Sequence, residues 1–174
     1  MPVLDPDIDI RPLIRAEAEK WRTLRLKMLQ EHPTAFLSSY EDWLDRDLDA
    51  FAAQIPEDGV DALFGAFLGG ELCGSARFNR ETRRKVAHRG DMTAVYVDPS
   101  LRGRGVGEAL VQAVIDRARQ HVVVLLCGVG AGNTRAGDLY RRLGFVDYGV
   151  LSRAMRVNGE DYDEDLLIMN LDEA

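Results

Sequence analysis

The chain has 174 residues, 46% of them hydrophobic and 29% charged, and a formal net charge of -7. The length suits one domain with a sizeable core, taken here as residues 1–174. The acidic balance excludes a nonspecific nucleic-acid surface, and no apolar run nears the roughly 20 residues that a membrane-spanning helix needs.

The N-terminus has neither the basic start nor the apolar stretch of a signal peptide, so a cytoplasmic location is expected. Cys73 and Cys127 fall on strand-like runs and lack the spacing of a metal site or a disulfide framework. Both are read as reduced core thiols, and no bound metal is expected.

Ile8 to Arg11 alternates apolar and polar residues before Pro12, which predicts a first strand. Ile14, Ala18, Trp21, Leu24 and Met28 recur at helical spacing, and His32-Pro33 ends that pattern. Ser38 with Glu41 has the form of a capping box, opening a second helix through Tyr40, Trp43, Leu44 and Leu48. The runs Ala62 to Leu68 and Leu72 to Phe78 meet at Gly69-Gly70, a hairpin signal.

Arg80 to Arg89 reads as a basic loop, and Met92 to Val97 as the next strand. A helix follows, with Val106, Ala109, Leu110, Ala113 and Val114 on one stripe. The nearly unbroken apolar run Val122 to Val129 predicts a strand buried on both faces. After Gly128, Gly130 and Gly132 comes a helix stopped by Gly144, then a strand from Phe145. Val150 to Val157 and Asp163 to Leu171 flank the turn signal Asn158-Gly159. The sum is an α/β domain with a mixed β-sheet flanked by helices.

The chemistry concentrates where the strand ending at Val97 meets the helix that follows. YVDPSLRGRGVG, residues 96–107, reads strand, tight turn, glycine-rich loop and helix start. Gly103, Gly105 and Gly107 let backbone N–H groups approach an anion, the first helical turn adds unpaired donors, and Arg102 and Arg104 add charge. A dinucleotide loop needs G-x-G-x-x-G, but from Gly103 that register ends on Glu108 and from Gly105 on Leu110. A P-loop fails as well, because no Lys followed by Ser or Thr closes the segment.

The loop does match R-G-x-G-[VI]-G after a hydrophobic strand. Downstream, Asn133 is followed by A-x-x-L-Y-x-x-x-G-F from Ala136 to Phe145. With both motifs in this order the chain resembles the GNAT superfamily of N-acetyltransferases. The motifs and the segment between them span roughly residues 95–145, somewhat under a third of the chain. The resemblance implies the family's acyl-CoA transferase fold and acetyl-CoA as acetyl donor, with its pyrophosphate on Arg102, Gly103, Arg104, Gly105, Val106 and Gly107. It further implies backbone contacts to the thioester from Val95 and Val97, a pantetheine contact from Asn133, and Tyr140 as general acid.

Each role has a plainer counterpart: Tyr140 on an apolar stripe with Ala136, Leu139 and Leu143, Asn133 as a helix cap, and the two arginines as solvated charges. Glu41, His88 and Asp91 are candidates for the general base, which the resemblance does not fix. The expected activity is transfer of an acetyl group to a primary amine, on a small molecule or a protein, by direct attack on the thioester. The alternative is a non-catalytic acyl-CoA-binding or sensing domain. The acceptor is expected to meet the first two helices, the Arg80 to Arg89 loop and the C-terminal hairpin, with Trp21, Tyr40 and Trp43 as candidate lining. Paired subunits are common among proteins of this resemblance, so a homodimer is a further expectation.

Overall fold

A computed structural model describes residues 3–172. Seven strands form one sheet in the order β1-β2-β3-β4-β5-β7-β6. In chain order these are β1 (Ile8–Pro12), β2 (Ala62–Leu68), β3 (Glu71–Arg80), β4 (Arg89–Val97), β5 (Val124–Gly130), β6 (Val146–Val157) and β7 (Glu160–Asn170). β4 and β5 run parallel and every other neighbouring pair is antiparallel. The expected mixed sheet flanked by helices is therefore present.

The helices are α1 (Ala18–Glu31), α2 (Tyr40–Leu44), α3 (Leu48–Ala52), α4 (Val106–Arg119) and α5 (Thr134–Arg142). None of the helices among the described residues is long and apolar enough to cross a membrane. Two core clusters hold the layers together. In one, Leu110 and Val114 of α4 pack with Ala66, Phe78, Leu125 and Leu167 of the sheet. In the other, Trp21, Leu24 and Met28 of α1 pack with Phe51, Leu63, Phe67 and Tyr96. β2 is buried along nearly its whole length because both of its faces are covered.

Several sequence expectations are refined. The capping box is Ser39 with Asp42, not Ser38 with Glu41, and the expected second helix breaks into α2 and α3 where Asp47 caps a new start. β5 begins at Val124, because Val122 belongs to the turn that closes α4, its N–H donating to Ala118 C=O at 2.8 Å. It is not buried on both faces. Leu125, Cys127 and Val129 point into the core while Gly128 is exposed, since one side of the strand borders a cleft.

The buried stripe of α4 is Val106, Leu110, Val111, Val114, Ile115 and Ala118, while Ala109 and Ala113 are only partly covered. Cys127 is buried but Cys73 is half-buried, so only one of the two thiols belongs to the core proper. The C-terminal hairpin turns at Asn158-Gly159, both with positive φ, and β7 starts directly after it at Glu160.

Candidate functional site

The sheet opens between β4 and β5. Their parallel pairing runs only from Arg89–Val124 to Asp91–Leu126, after which the strands separate. A bulge helps to turn β4: its register against β3 slips between Ser75 and Arg77, and Ala94 there has φ 53. Left-handed backbone is costly for a residue with a Cβ, so the surrounding sheet holds this kink in place. Residues 92–97 consequently line a cleft of ≈ 1530 Å³ instead of pairing with β5.

One end of the cleft is a helix start. Gly105 caps α4 with φ 77, and Gly103 in the preceding turn has φ 82, so both sit where only glycine is unstrained. The first helical bond runs from Ala109 N–H to Gly105 C=O at 3.0 Å. The N–H groups of Val106, Gly107 and Glu108 therefore precede the ladder, at the positive end of the helix dipole. Gly105, Val106, Gly107 and Glu108 all line the cleft.

The loop residues differ in what their side chains do. Arg102 lines the cleft, and its Nη2 lies 3.2 Å from His32 Nε2. Arg104 does not line it; its guanidinium is ion-paired with Asp5. Val106 buries its side chain in the core, leaving its backbone as the group that can meet a ligand. Asp98 fixes the loop entrance by accepting from Ser100 N–H and from Lys27 Nζ of α1, at 3.0 and 2.5 Å. Hydrogen bonding from Lys27 holds the Asp98 carboxyl down at about 2.

The opposite wall is built by β5, α5 and β7. Asn133 is the N-cap of α5, accepting from Ala136 N–H at 3.3 Å, and it also borders the cleft. The plain capping role and a place at the site thus coexist in one residue. α5 ends in a Schellman motif: Gly144 has φ 106, and Phe145 N–H donates to Tyr140 C=O at 3.1 Å. That stop seats Phe145 against Tyr140 with ring centroids 6.0 Å apart.

Tyr140 is 5% exposed, lines the cleft, and its hydroxyl makes no hydrogen bond to another described residue. Burial, assisted by nearby Cys127, pushes its phenol above the ordinary tyrosine value, so it stays protonated through neutral pH. The Cys127 thiol is likewise pushed up to about 12 by burial and remains neutral.

Val95 and Val97 both line the cleft, on the strand edge that β5 has left. The base candidates fare differently. Glu41 is exposed on the first turn of α2, and His88 borders a separate shallow depression together with Arg80 and Val123. Asp91 is half-buried, with its carboxyl raised by burial, but is not part of the cleft lining. The 80–89 loop contributes no lining residue, and the stretch 34–38 takes its place. Of the three aromatic candidates only Trp21 lines the cleft, while Tyr40 and Trp43 pack on the α1 core.

Glu108, Asp161, Asp163 and Glu164 are carboxylates of the cleft that sequence reasoning passed over, and of these Glu164 is the one with its carboxyl raised by burial. It lines the cleft from β7, and its side chain lies over Gly128, where a Cβ would come within 2.3 Å of its Oε1. Burial raises its carboxyl above the ordinary glutamate value. The available signal was a glycine inside an apolar strand, which marks a close approach by another group.

The matching family model is the acetyltransferase (GNAT) family, over residues 22–145. The chain belongs to that family. L-methionine sulfoximine/L-methionine sulfone acetyltransferase of Pseudomonas paraeruginosa is 34% identical over 116 residues, 66% of this chain and 67% of that protein. N-alpha-acetyltransferase RimI of Mycobacterium tuberculosis is 38% identical over 97 residues, 56% of this chain and 60% of its own length. YncA from Salmonella typhimurium, in a structure that holds its cofactor acetyl-CoA, has the same fold, with a TM-score of 0.83 at 22% identity over 96% of this chain and 95% of that one.

Proposed function

We propose that the protein transfers the acetyl group of acetyl-CoA to a primary amine by direct attack of that amine on the thioester. The reading rests on one observation above all: β4 parts from β5 beside a helix start whose cap, Gly105, is left-handed. That arrangement offers two sets of unpaired backbone donors in one cleft, one suited to a diphosphate and one to a carbonyl oxygen. The names of the similar proteins, an acetyltransferase of amino-acid analogues and an N-alpha-acetyltransferase, agree with a nitrogen acceptor.

Acetyl-CoA supplies the thioester when it is bound. The residues that would hold its diphosphate are Arg102 with the N–H groups of Gly103, Gly105, Val106 and Gly107. Arg104 is given the lesser part of fixing the loop through Asp5. The β4 edge from Val95 to Val97 is assigned to polarise the thioester carbonyl, and Asn133 to contact the pantetheine arm.

In the transfer a C–N bond forms, the C–S bond breaks, the amine nitrogen loses a proton and the sulfur gains one. Tyr140 is assigned to donate the proton to sulfur because its hydroxyl lines the cleft with no other described partner; burial keeps it protonated but also makes it a weaker acid than free tyrosine. Glu164 receives the proton of the amine, directly or through water, from the facing wall.

Calorimetric titration with acetyl-CoA, ATP and NAD, followed by an amine screen read as thiol release, tests the reading. Selective binding of acetyl-CoA and turnover with an amine are expected. Absence of acetyl-CoA binding would end the proposal, and binding without turnover of any amine would leave an acyl-CoA sensor in its place.

A further inference from the structure

Away from the helix start, the cleft has a second polar feature. Arg25 of α1 lines it yet is only 7% exposed, and its Nε is buried without a hydrogen-bond partner. No described residue is ion-paired with it. Its guanidinium sits among aromatic rings, 5.9 Å from the centroid of Trp21, 5.7 Å from Phe36 and 6.0 Å from Trp43. A buried guanidinium with an empty donor is costly to keep, and aromatic faces offset only part of that cost.

A second cation faces the same space. Arg77 of β3 lines the cleft, with Nε donating to Asn79 Oδ1 at 2.6 Å and Nη1 to Gln54 C=O at 2.9 Å. Both hydrogen-bond partners are neutral and orient the guanidinium, while Asp61 is a carboxylate that acts on its charge without bonding to it. Gln54 is itself fixed, because its Oε1 accepts from Trp21 Nε1 at 2.7 Å. Burial lowers the pKa of Arg25 to about 10, with Arg77 adding to the effect, and burial also lowers that of Arg77. Both remain cations at neutral pH.

The pair lies away from the phosphate cradle. Arg25 precedes His32, the neighbour of Arg102, by roughly 10 Å of helix rise, and Arg77 is paired with Thr93, ahead of the β4 bulge. Across the cleft β7 presents the carboxylates of Asp161, Asp163 and Glu164, while α5 presents Arg135 and Arg142, the latter ion-paired with Glu108. A ligand with an anionic group at one end and an amine at the other matches both walls.

We infer that Arg25 and Arg77 form an anion subsite that binds a carboxylate of the acceptor, so the acceptor is an amine that carries a carboxylate, such as a free amino acid. The inference rests on the acetyltransferase reading for the direction in which the amine points. The planar, forked donor set of arginine favours a carboxylate held by two hydrogen bonds. Trp21 and Phe36 then border the apolar remainder of the acceptor.

The test compares L-amino acids with the corresponding amino amides as acceptors at saturating acetyl-CoA, using the whole chain. Acids should exceed amides at least about tenfold in kcat/KM, chiefly through KM, because the amide brings no charge and only one acceptor oxygen to the buried guanidinium. Arg77→Met and Arg25→Met should each remove most of that preference with the affinity for acetyl-CoA unchanged, and Arg25→Lys should restore part of it. If Arg25→Met fails to fold, Arg77→Met and the wild-type comparison decide.

Amides used as well as acids, or a preference that survives in both folded Met variants, would overturn the subsite. Should no amine be turned over, titration with N-acetyl amino acids and N-acetyl amino amides in the presence of coenzyme A separates the two readings. Preferential binding of the acids keeps the subsite while the transfer reading falls, and equal or absent binding removes the subsite as well.

Discussion

Where α4 begins, the groups facing the cleft are backbone N–H donors uncovered by glycines; where α1 faces it, they are the side chains of Trp21 and Arg25. A backbone cradle recognises charge and little else, so it serves one invariant ligand feature such as a diphosphate. A side-chain wall can be rewritten residue by residue without disturbing the sheet, which is how one fold serves many acceptors. The ion pair of Lys27 with Asp98 ties the two regions together by joining α1 to the glycine loop.

The contrast is broken most severely at Gly105. Its φ of 77 disfavours any residue with a Cβ, at a cost of about 1–3 kcal/mol in backbone strain. Gly105→Glu adds a negative charge among the donors as well. Affinity for acetyl-CoA should fall by about two orders of magnitude or more, read by calorimetry, while acid-over-amide selectivity survives in whatever activity remains. Gly107→Ala keeps the N–H assigned to the cradle and adds a Cβ that would meet Leu139 at 3.5 Å and Val97 at 3.7 Å, ordinary contacts, so it should lose far less affinity than Gly105→Glu. An unchanged affinity in Gly105→Glu would place the diphosphate elsewhere.

Tyr140→Phe comes next. Loss of the hydroxyl should lower kcat by about 10²-fold, the low end for a general acid, with acetyl-CoA affinity held within about twofold. The ring keeps its packing against Phe145, so stability should hardly move. A fully active variant would return Tyr140 to a purely structural place on the apolar side of α5.

The two regions were also unequally legible in the sequence. The cradle was visible because glycines at positive φ, a cap and a helix stop are local requirements of the chain, met by residues adjacent in sequence. Gly103 and Gly105 have positive φ, Asn133 caps α5 and Gly144 ends it in the left-handed region. Arg104 turns away from the cleft instead, because its partner Asp5 lies 99 residues earlier in the chain and no local pattern announces that ion pair.

The proposed acceptor wall draws on residues 25, 54, 77 and 164, which lie far apart in sequence yet line one cleft, and none of them belongs to a motif. Arg25 reads on a helical wheel as an ordinary charge among apolar neighbours. Its burial appears only when the stretch 34–38 and α2 close over it with Phe36 and Trp43. Glu164 was hidden for the opposite reason: it stands in the acidic run 161–165, which looks like solvated hairpin.

Glu164→Gln sharpens the comparison at its subtlest point, because activity and stability should move in opposite directions. As the proposed base, Glu164 must be ionised to accept the proton. Its loss should cost about tenfold in kcat/KM near neutral pH and progressively less above about pH 8, where α-amines deprotonate unaided.

The stability effect has the other sign. Burial raises the folded-state pKa above that of the unfolded chain, so the folded state holds the proton more tightly. Stability therefore falls as pH rises through the window between the two values, and above that window the ionised carboxylate carries its full desolvation penalty. Gln removes that penalty, so the variant should melt higher than the wild type at neutral pH. Below the ordinary glutamate pKa the two should converge, since both side chains are then neutral. Thermal melts across pH, read beside kcat/KM, check both arms. A variant that is less active yet no more stable at neutral pH would show that the carboxylate is already well solvated in the cleft, and the case for Glu164 as the base would then stand on position alone.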